Sequence, residues 1–596
     1  GINLGVDVLN GDRNNVMADM TMTARDEINV YSLRNYGKNM TITASDVTVS
    51  GADGGENAGI IFGATADSVT NVTATNALTA GAVSNLGTMD LQSNNINVAS
   101  LSNSGTGIMK VHGAANDTGT ITVTGDVTNA GANLALGAQD IDIQGVFRND
   151  AGNATIQGAA IIKLGGLNVQ DGMVGINSYA NQIDVTNDIR VVAMPGNDNA
   201  APILNVGANV STLNAKNVTI GGNLSATSEI TLGVGNVNVA NNNFTLNADT
   251  VNVNGTIMST TMDARSLTVA SGDIQAGSVM ADNNGVISLG MGQTDAQGAS
   301  TRLQVDNYIE SLGAGRINID AANIITGNIG GNGRYTINAE TLTATSAIGN
   351  AINLDNGIWF DATTGTENGM VILGDRLTMA TSGADATLRI ANGIRIGTGK
   401  TLNLESANGT NFGGQITNNG TLNISAAKML SAQLSDVVNT GSFTASGRAI
   451  LFGDITNNAG SMTFNVLNST NFTQALAIDG TITNNDGDIT VNSDYTYSNN
   501  MVVTGGTVNI TGLQWENMNN IDITGGTTRL TLGNMSVSDM TVNGDVVHSS
   551  MTGVPGALIM AQNTTVNARN INITGNMHAM QNALDYRVNN NVAISG

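Results

Sequence analysis

Short runs of alternating apolar and polar residues fill this chain from one end to the other. Ile2, Leu4, Val6 and Val8 begin the pattern, and Ile121 with Val123, Val237 with Val239, and Val508 with Ile510 repeat it, with Asn, Thr, Asp or Gly between. Period two over about three to six residues predicts strands that bury one face. Helical spacing is nearly absent. One segment, 578–588, sets Met580, Leu584 and Val588 four apart, which predicts a helix placed to cap a sheet edge.

Two phrases organise these strands. The first reads apolar, x, Ala, x, x, apolar, x, apolar, x, Gly: Ile42, Ala44, Val47, Val49, Gly51; Leu213, Ala215, Val218, Ile220, Gly222; Leu246, Ala248, Val251, Val253, Gly255; Val566, Ala568, Ile571, Ile573, Gly575. Partial copies begin at Met262, Ile319 and Ile337. In the second phrase an apolar strand residue is followed by Asn, then Gly, then a new strand. It occurs at Asn85, Asn103, Asn129 and Asn149, and again at Asn418, Asn439, Asn457 and Asn484. A step of about twenty residues carrying two or three short strands is the size of one coil of a parallel β-solenoid. Asn and Gly both tolerate the left-handed conformation of sharp corners, so each is expected at the corners. The predicted fold is all-β: a single continuous parallel β-solenoid over residues 1–596, an elongated rod of roughly thirty coils. An array of β-sandwiches fits the composition too, but calls for sharper linkers. The one Pro-bearing break, residues 194–202 between Met194 and Pro202, is expected to be a loop excursion from one coil; a domain boundary is the alternative.

Composition sharpens this picture by exclusion. The 596 residues include 74 Gly, 3 Pro, 24 Met and 3% aromatics, so the core is aliphatic, with Met available to fill irregular gaps. No Cys is present, which removes disulfides and thiolate chemistry. The net charge of -24 repels nucleic acid and anionic membranes, and no apolar stretch is long enough for direct membrane insertion as a helix.

Candidate chemistry is sparse. Gly393, Gly397, Gly399, Lys400 and Thr401 imitate a phosphate-binding loop, but its first Gly would fall at Ile394, and Leu402 and Leu404 continue as a strand where a helix is required. Asp140, Asp142, Asp486 and Asp488 are acidic positions without an EF-hand pattern, because Ile482 stands where the first Asp belongs. Of the three His, His112 stands alone, whereas His548 and His578 have the spacing of neighbouring coils and are expected to face solvent. Trp359-Phe360-Asp361 reads as an aromatic pair over a coil corner or as a sugar contact; Trp515 is isolated. Asn71, Asn217, Asn243 and Asn419 begin Asn-x-Ser/Thr triplets, which chance supplies in a chain this rich in Asn and Thr. No catalytic, cofactor-binding or metal-binding residue is nominated.

The two phrases together resemble those of the filamentous-haemagglutinin-like and autotransporter passenger class of bacterial surface proteins, a diffuse likeness over most of the chain. The resemblance implies a right-handed β-helix, an extracellular or bacterial cell-surface location, and adhesion or surface structure as the role. The expected function is that of a non-enzymatic adhesin or adhesive rod whose partners are glycans or proteins of a host or neighbouring cell surface. Two alternatives stand beside it: a subunit of a filament, sheath or surface layer that assembles with itself head to tail, and a carbohydrate-active β-helix enzyme.

Overall fold

The computed structural model describes every residue except 13–16, 52–58, 115–117, 180, 198–199, 227–235, 240–242, 260–265, 296, 362–367, 433–434, 467–474, 581–584 and 596. Two compact units divide the chain, Gly1–Leu303 and Gln304–Gly596. Among the described residues both are built of β-strands without a helix, and the strands pair in parallel. An antiparallel bridge joins Thr294 to Ser300. The fold is a parallel β-solenoid.

Residues Asn133–Asn149 show how the first unit makes a coil. Leu134, Leu136 and Ala138 point inward along a first face, Ile141 and Ile143 along a second, and Phe147 and Asn149 along a third. The chain bends between faces where the register to the next coil shifts, between Ala138 and Asp140 and again between Ile143 and Val146. This explains the first sequence phrase: at Ala44 and Ala568 the small side chain sits inside the bend, just before the same kind of register shift. Equivalent residues follow each other up the ladder as Val69, Thr88, Ile108, Asn133, Asn153, Met173 and Ile203. The last, longest step contains residues 194–202, which hold no strand where described. Asn197 donates to the Met194 carbonyl at 3.1 Å, and the chain then resumes the ladder at Ile203. Asp198 and Asn199 lie outside the described residues, as does Met262.

The second unit repeats the plan. Ser442–Gly447, Ala449–Phe452 and Ile455–Asn457 form the three faces of one coil. Phe443 and Phe452 meet inside it edge to face at 5.9 Å, and Phe464 of the following coil lies 5.8 Å from Phe443. Turn glycines stack as well. Gly460, Gly487 and Gly506 have φ of 75°, 80° and 65°, and a Cβ on Gly487 would come within 2.3 Å of the Gly460 carbonyl oxygen, so both conformation and space exclude a side chain.

Two expectations are corrected. Segment 578–588 is not helical where described: Met577–Ala579 and Asp585–Ile594 are strands, and residues 581–584 lie outside the described residues. A spacing of four is also a multiple of two, so it does not separate helix from strand, and at Asp585–Ile594 the parallel ladder to Thr565–Ile573 selects the strand. The second correction concerns the recurrent Asn, which does not supply left-handed corners. Among described non-glycine residues only Asn181 and Asn283 have positive φ. The repeated Asn residues point into the core instead. Asn85 Nδ2 donates to Asn103 Oδ1 at 2.9 Å, Asn103 to Asn129 at 2.9 Å and Asn129 to Asn149 at 2.7 Å. In the second unit Asn418 donates to Asn439 at 2.8 Å, Asn439 to Asn457 at 2.8 Å and Asn457 to Asn484 at 3.0 Å. All eight side chains are fully buried. Each Nδ2 also reaches turn carbonyls, as Asn103 does to Gly107 and Asn133, both at 2.9 Å, so the ladder satisfies backbone groups that would otherwise be orphaned.

Candidate functional surface

The residues singled out for chemistry do not converge. Gly399 has φ 77° in a turn, and Thr401–Ser406 follows as a strand, so no helix N-terminus stands behind Lys400. Lys400 Nζ donates to the Gly374 carbonyl at 2.9 Å and to Asp375 Oδ1 at 2.6 Å. That hydrogen bond and the ammonium charge hold the Asp375 carboxyl below its ordinary range. Trp359 and Phe360 do not form a corner pair, because successive strand residues face opposite ways: Phe360 is buried, whereas Trp359 lies outward under the Arg395 guanidinium, 4.5 Å from the ring centroid. Trp515 is wholly internal and donates from Nε1 to Ser498 Oγ at 3.1 Å.

Val547 pairs with His578, placing His548 and His578 on adjacent strands as their spacing predicts. Their environments differ. His548 is buried with Nε2 3.0 Å from the Tyr586 hydroxyl, and burial pushes its pKa down; His578 lies outside, 3.8 Å from Asp545. Sequence reasoning missed this burial because a lone His carries no periodic signal. His112 bridges Asp90 Oδ1 at 2.9 Å and the Gly113 carbonyl at 2.7 Å. Asp486 caps its own turn by accepting from Gly487 N at 2.8 Å. Among the described residues, no three His, Cys, Asp or Glu side chains gather as a metal site.

Each unit has a shallow lateral concavity. One of about 450 Å³ in the first unit lies beneath the hairpin around Asp295, with Asp249, Asp273 and Arg302 on its wall. Arg302 and Asp273 pair at 3.2 Å across it. The other, about 440 Å³, is lined in the second unit by Asn500, Asn520, Asp522, Asp539 and Thr541 among others. Hydrogen bonds from Arg569 and Asn570 hold the Asp539 carboxyl below its ordinary range. Among the described residues neither concavity has an aromatic wall.

A regular outer surface is formed by one face of the second unit. Its strands are Thr401–Ser406, Thr421–Ala426, Ser442–Gly447, Ser461–Val466, Asp488–Asn492, Thr507–Thr511 and Thr527–Thr531. They pair without a register shift. Every outward side chain on them is Thr, Ser or Asn, except Glu405, Asp488 and Arg529. Side chains bond along the columns: Asn423 donates to Asn403 at 2.9 Å and Asn492 to Asn465 at 2.8 Å. The signal in the sequence was the polar half of the period-two pattern recurring every coil; attention to apolar positions passes over it.

Comparison with family models, curated proteins and solved structures finds no match to this chain.

Proposed function

We propose that this chain is a non-enzymatic extracellular β-solenoid of a bacterial cell surface that acts as an adhesin, presenting its sheet faces to glycans or proteins of another surface. The observation that carries this reading is the in-register face between Thr401 and Thr531, whose outward side chains are almost all uncharged hydrogen-bonding groups. Such a face suits adhesion because many weak, repeated contacts add through multivalency. It suits catalysis poorly, since catalysis needs a few groups converging on one reacting atom. The test is retention of cells or cell-wall fragments on the immobilised chain, with soluble chain as competitor. Competable retention is expected; absence of retention on every surface offered would overturn the reading.

A second reading is a subunit that assembles with itself into a filament, sheath or surface layer: the strands pair in parallel, coil upon coil, by a hydrogen-bonding pattern that a strand of another copy can continue. Sedimentation over a wide concentration range separates the two readings: a growing species supports assembly, and a constant one opposes it.

A further inference from the structure

We propose that the face formed by the strands from Thr401–Ser406 to Thr527–Thr531 binds a neutral, hydroxyl-rich polysaccharide, laid across its columns of Thr, Ser and Asn. This inference rests on the adhesive reading and names the partner class and the face.

Charge points to the class of partner. The whole chain carries a net charge of -24, yet this face has only Glu405, Asp488 and Arg529 among its outward residues. An anionic polymer meets long-range repulsion from the molecule and little cationic attraction here. A neutral polymer meets no such barrier. Hydroxyls and amides are both donors and acceptors, so the columns match the hydroxyls of a sugar chain in either direction.

Regularity supplies strength. Adjacent strands lie about 4.8 Å apart, and outward residues on one strand recur at about 6.6 Å, so the seven strands make a flat array about 30 Å long. The absence of a register shift keeps the columns straight. Most of the outward side chains are half-buried against one another, with Glu405, Ser425, Asp488, Asn492 and Thr511 exposed, and bonds such as Asn423 to Asn403 at 2.9 Å and Asn492 to Asn465 at 2.8 Å tie neighbours along the columns. The half-buried positions have less rotamer freedom to lose on binding. Single hydroxyl contacts are weak in water, so affinity here requires a polymer that engages many positions together. A free monosaccharide is not expected to bind measurably.

The test measures retention of the full chain on insoluble cellulose, chitin and neutral β-glucan, with polygalacturonate and heparin gels as anionic counterparts. Retention on at least one neutral polymer and on neither anionic gel is expected. Thr463→Glu with Thr490→Glu places two charges mid-face and is expected to lower retention about tenfold or more, because each must be desolvated against an uncharged partner. Thr463→Lys with Thr490→Lys is expected to do the same, which separates desolvation from simple repulsion. Thr456→Glu with Thr483→Glu puts the same charge on another face, since Thr456 and Thr483 pair on the strands Ile455–Asn457 and Leu476–Asn484. It is expected to leave retention within about twofold. Circular dichroism melting checks that each variant is folded. Equal loss in all three variants, or retention on the anionic gels, would overturn the proposal. If no neutral polymer retains the chain while cells still do, this inference fails and adhesion stands; if neither is retained, both fail.

Discussion

Two stretches of the first unit fill the same inward position of the coil with opposite chemistry. From Asn85 to Asn149 it holds a hydrogen-bonded amide ladder; from Val169 through Val191 and Ile220 to Val253 it holds aliphatic side chains, and the register runs directly from Asn149 to Val169. The backbone therefore specifies an inward site, not a residue type. An aliphatic side chain stabilises that site by itself, through the apolar area it removes from water, about 1.5–3 kcal/mol for a Val or Ile. An Asn stabilises it only in company, because its amide is costly to bury unless the coils on both sides and the adjoining turn supply partners.

Val191→Asn breaks the comparison most severely. It loses the burial of Val191 and sets an amide between Val169 and Ile220, neither of which can pair with it. A cost of about 3–5 kcal/mol is expected, read from denaturant unfolding. Asn439→Val comes next. It strips the donor from Asn457 Oδ1 and the acceptor from Asn418 Nδ2, which keeps the Ser442 carbonyl at 2.8 Å. About 2–3 kcal/mol is expected, and amide exchange should quicken in the adjoining coils.

Asn418→Val sharpens the comparison, because Asn418 heads its ladder. Its register neighbour is Ile396, and its buried Oδ1 accepts no hydrogen bond. Removing it exchanges one orphaned acceptor for another, at Asn439, while adding an aliphatic neighbour to Ile396. A cost of about 1 kcal/mol or less is expected, clearly below that of Asn439→Val. Equal costs for the two would show that position in the ladder is irrelevant.

His548 is a buried polar residue with a single partner, and the smallest effect is expected there. Its Nε2 meets the Tyr586 hydroxyl at 3.0 Å, its buried Nδ1 has no hydrogen bond, and Asp545 and His578 are the titratable residues of the neighbouring strand pairing. Burial lowers the His548 pKa from 6.5, so the folded state favours the neutral ring. Its contribution is complete above pH 6.5 and falls as the pH drops below that value, when the unfolded chain takes up the proton first. Amide exchange of Asp585–Ile594 measured on either side of pH 6.5 should show protection lost on the acid side, and His548→Phe should remove the dependence.

The alternation of residues such as Ile121 and Val123, or Val508 and Ile510, was enough to predict strands and their buried faces, because side-chain direction along a strand is a local property with a period of two. The coil repeat followed from the recurrence of Asn and Gly at about twenty residues, and the strand at Thr401–Ser406 from Leu402 and Leu404. Spacing alone could not tell why Asn recurs, since one residue type serves both a left-handed corner and an inward ladder. Nor did the spacing of four over 578–588 separate a helix from the strand that Asp585–Ile594 forms. The polar face from Thr401 to Thr531 was likewise hidden in positions that look like ordinary solvent-facing residues one strand at a time. Each was decided by residues about twenty positions away stacked a strand's width apart: Asn129 on Asn103, Val588 on Ala568, Thr463 on Thr444. Periodicity sets which way a side chain points; what it meets there depends on the coil laid against it, and only the tertiary structure brings that neighbour into reach.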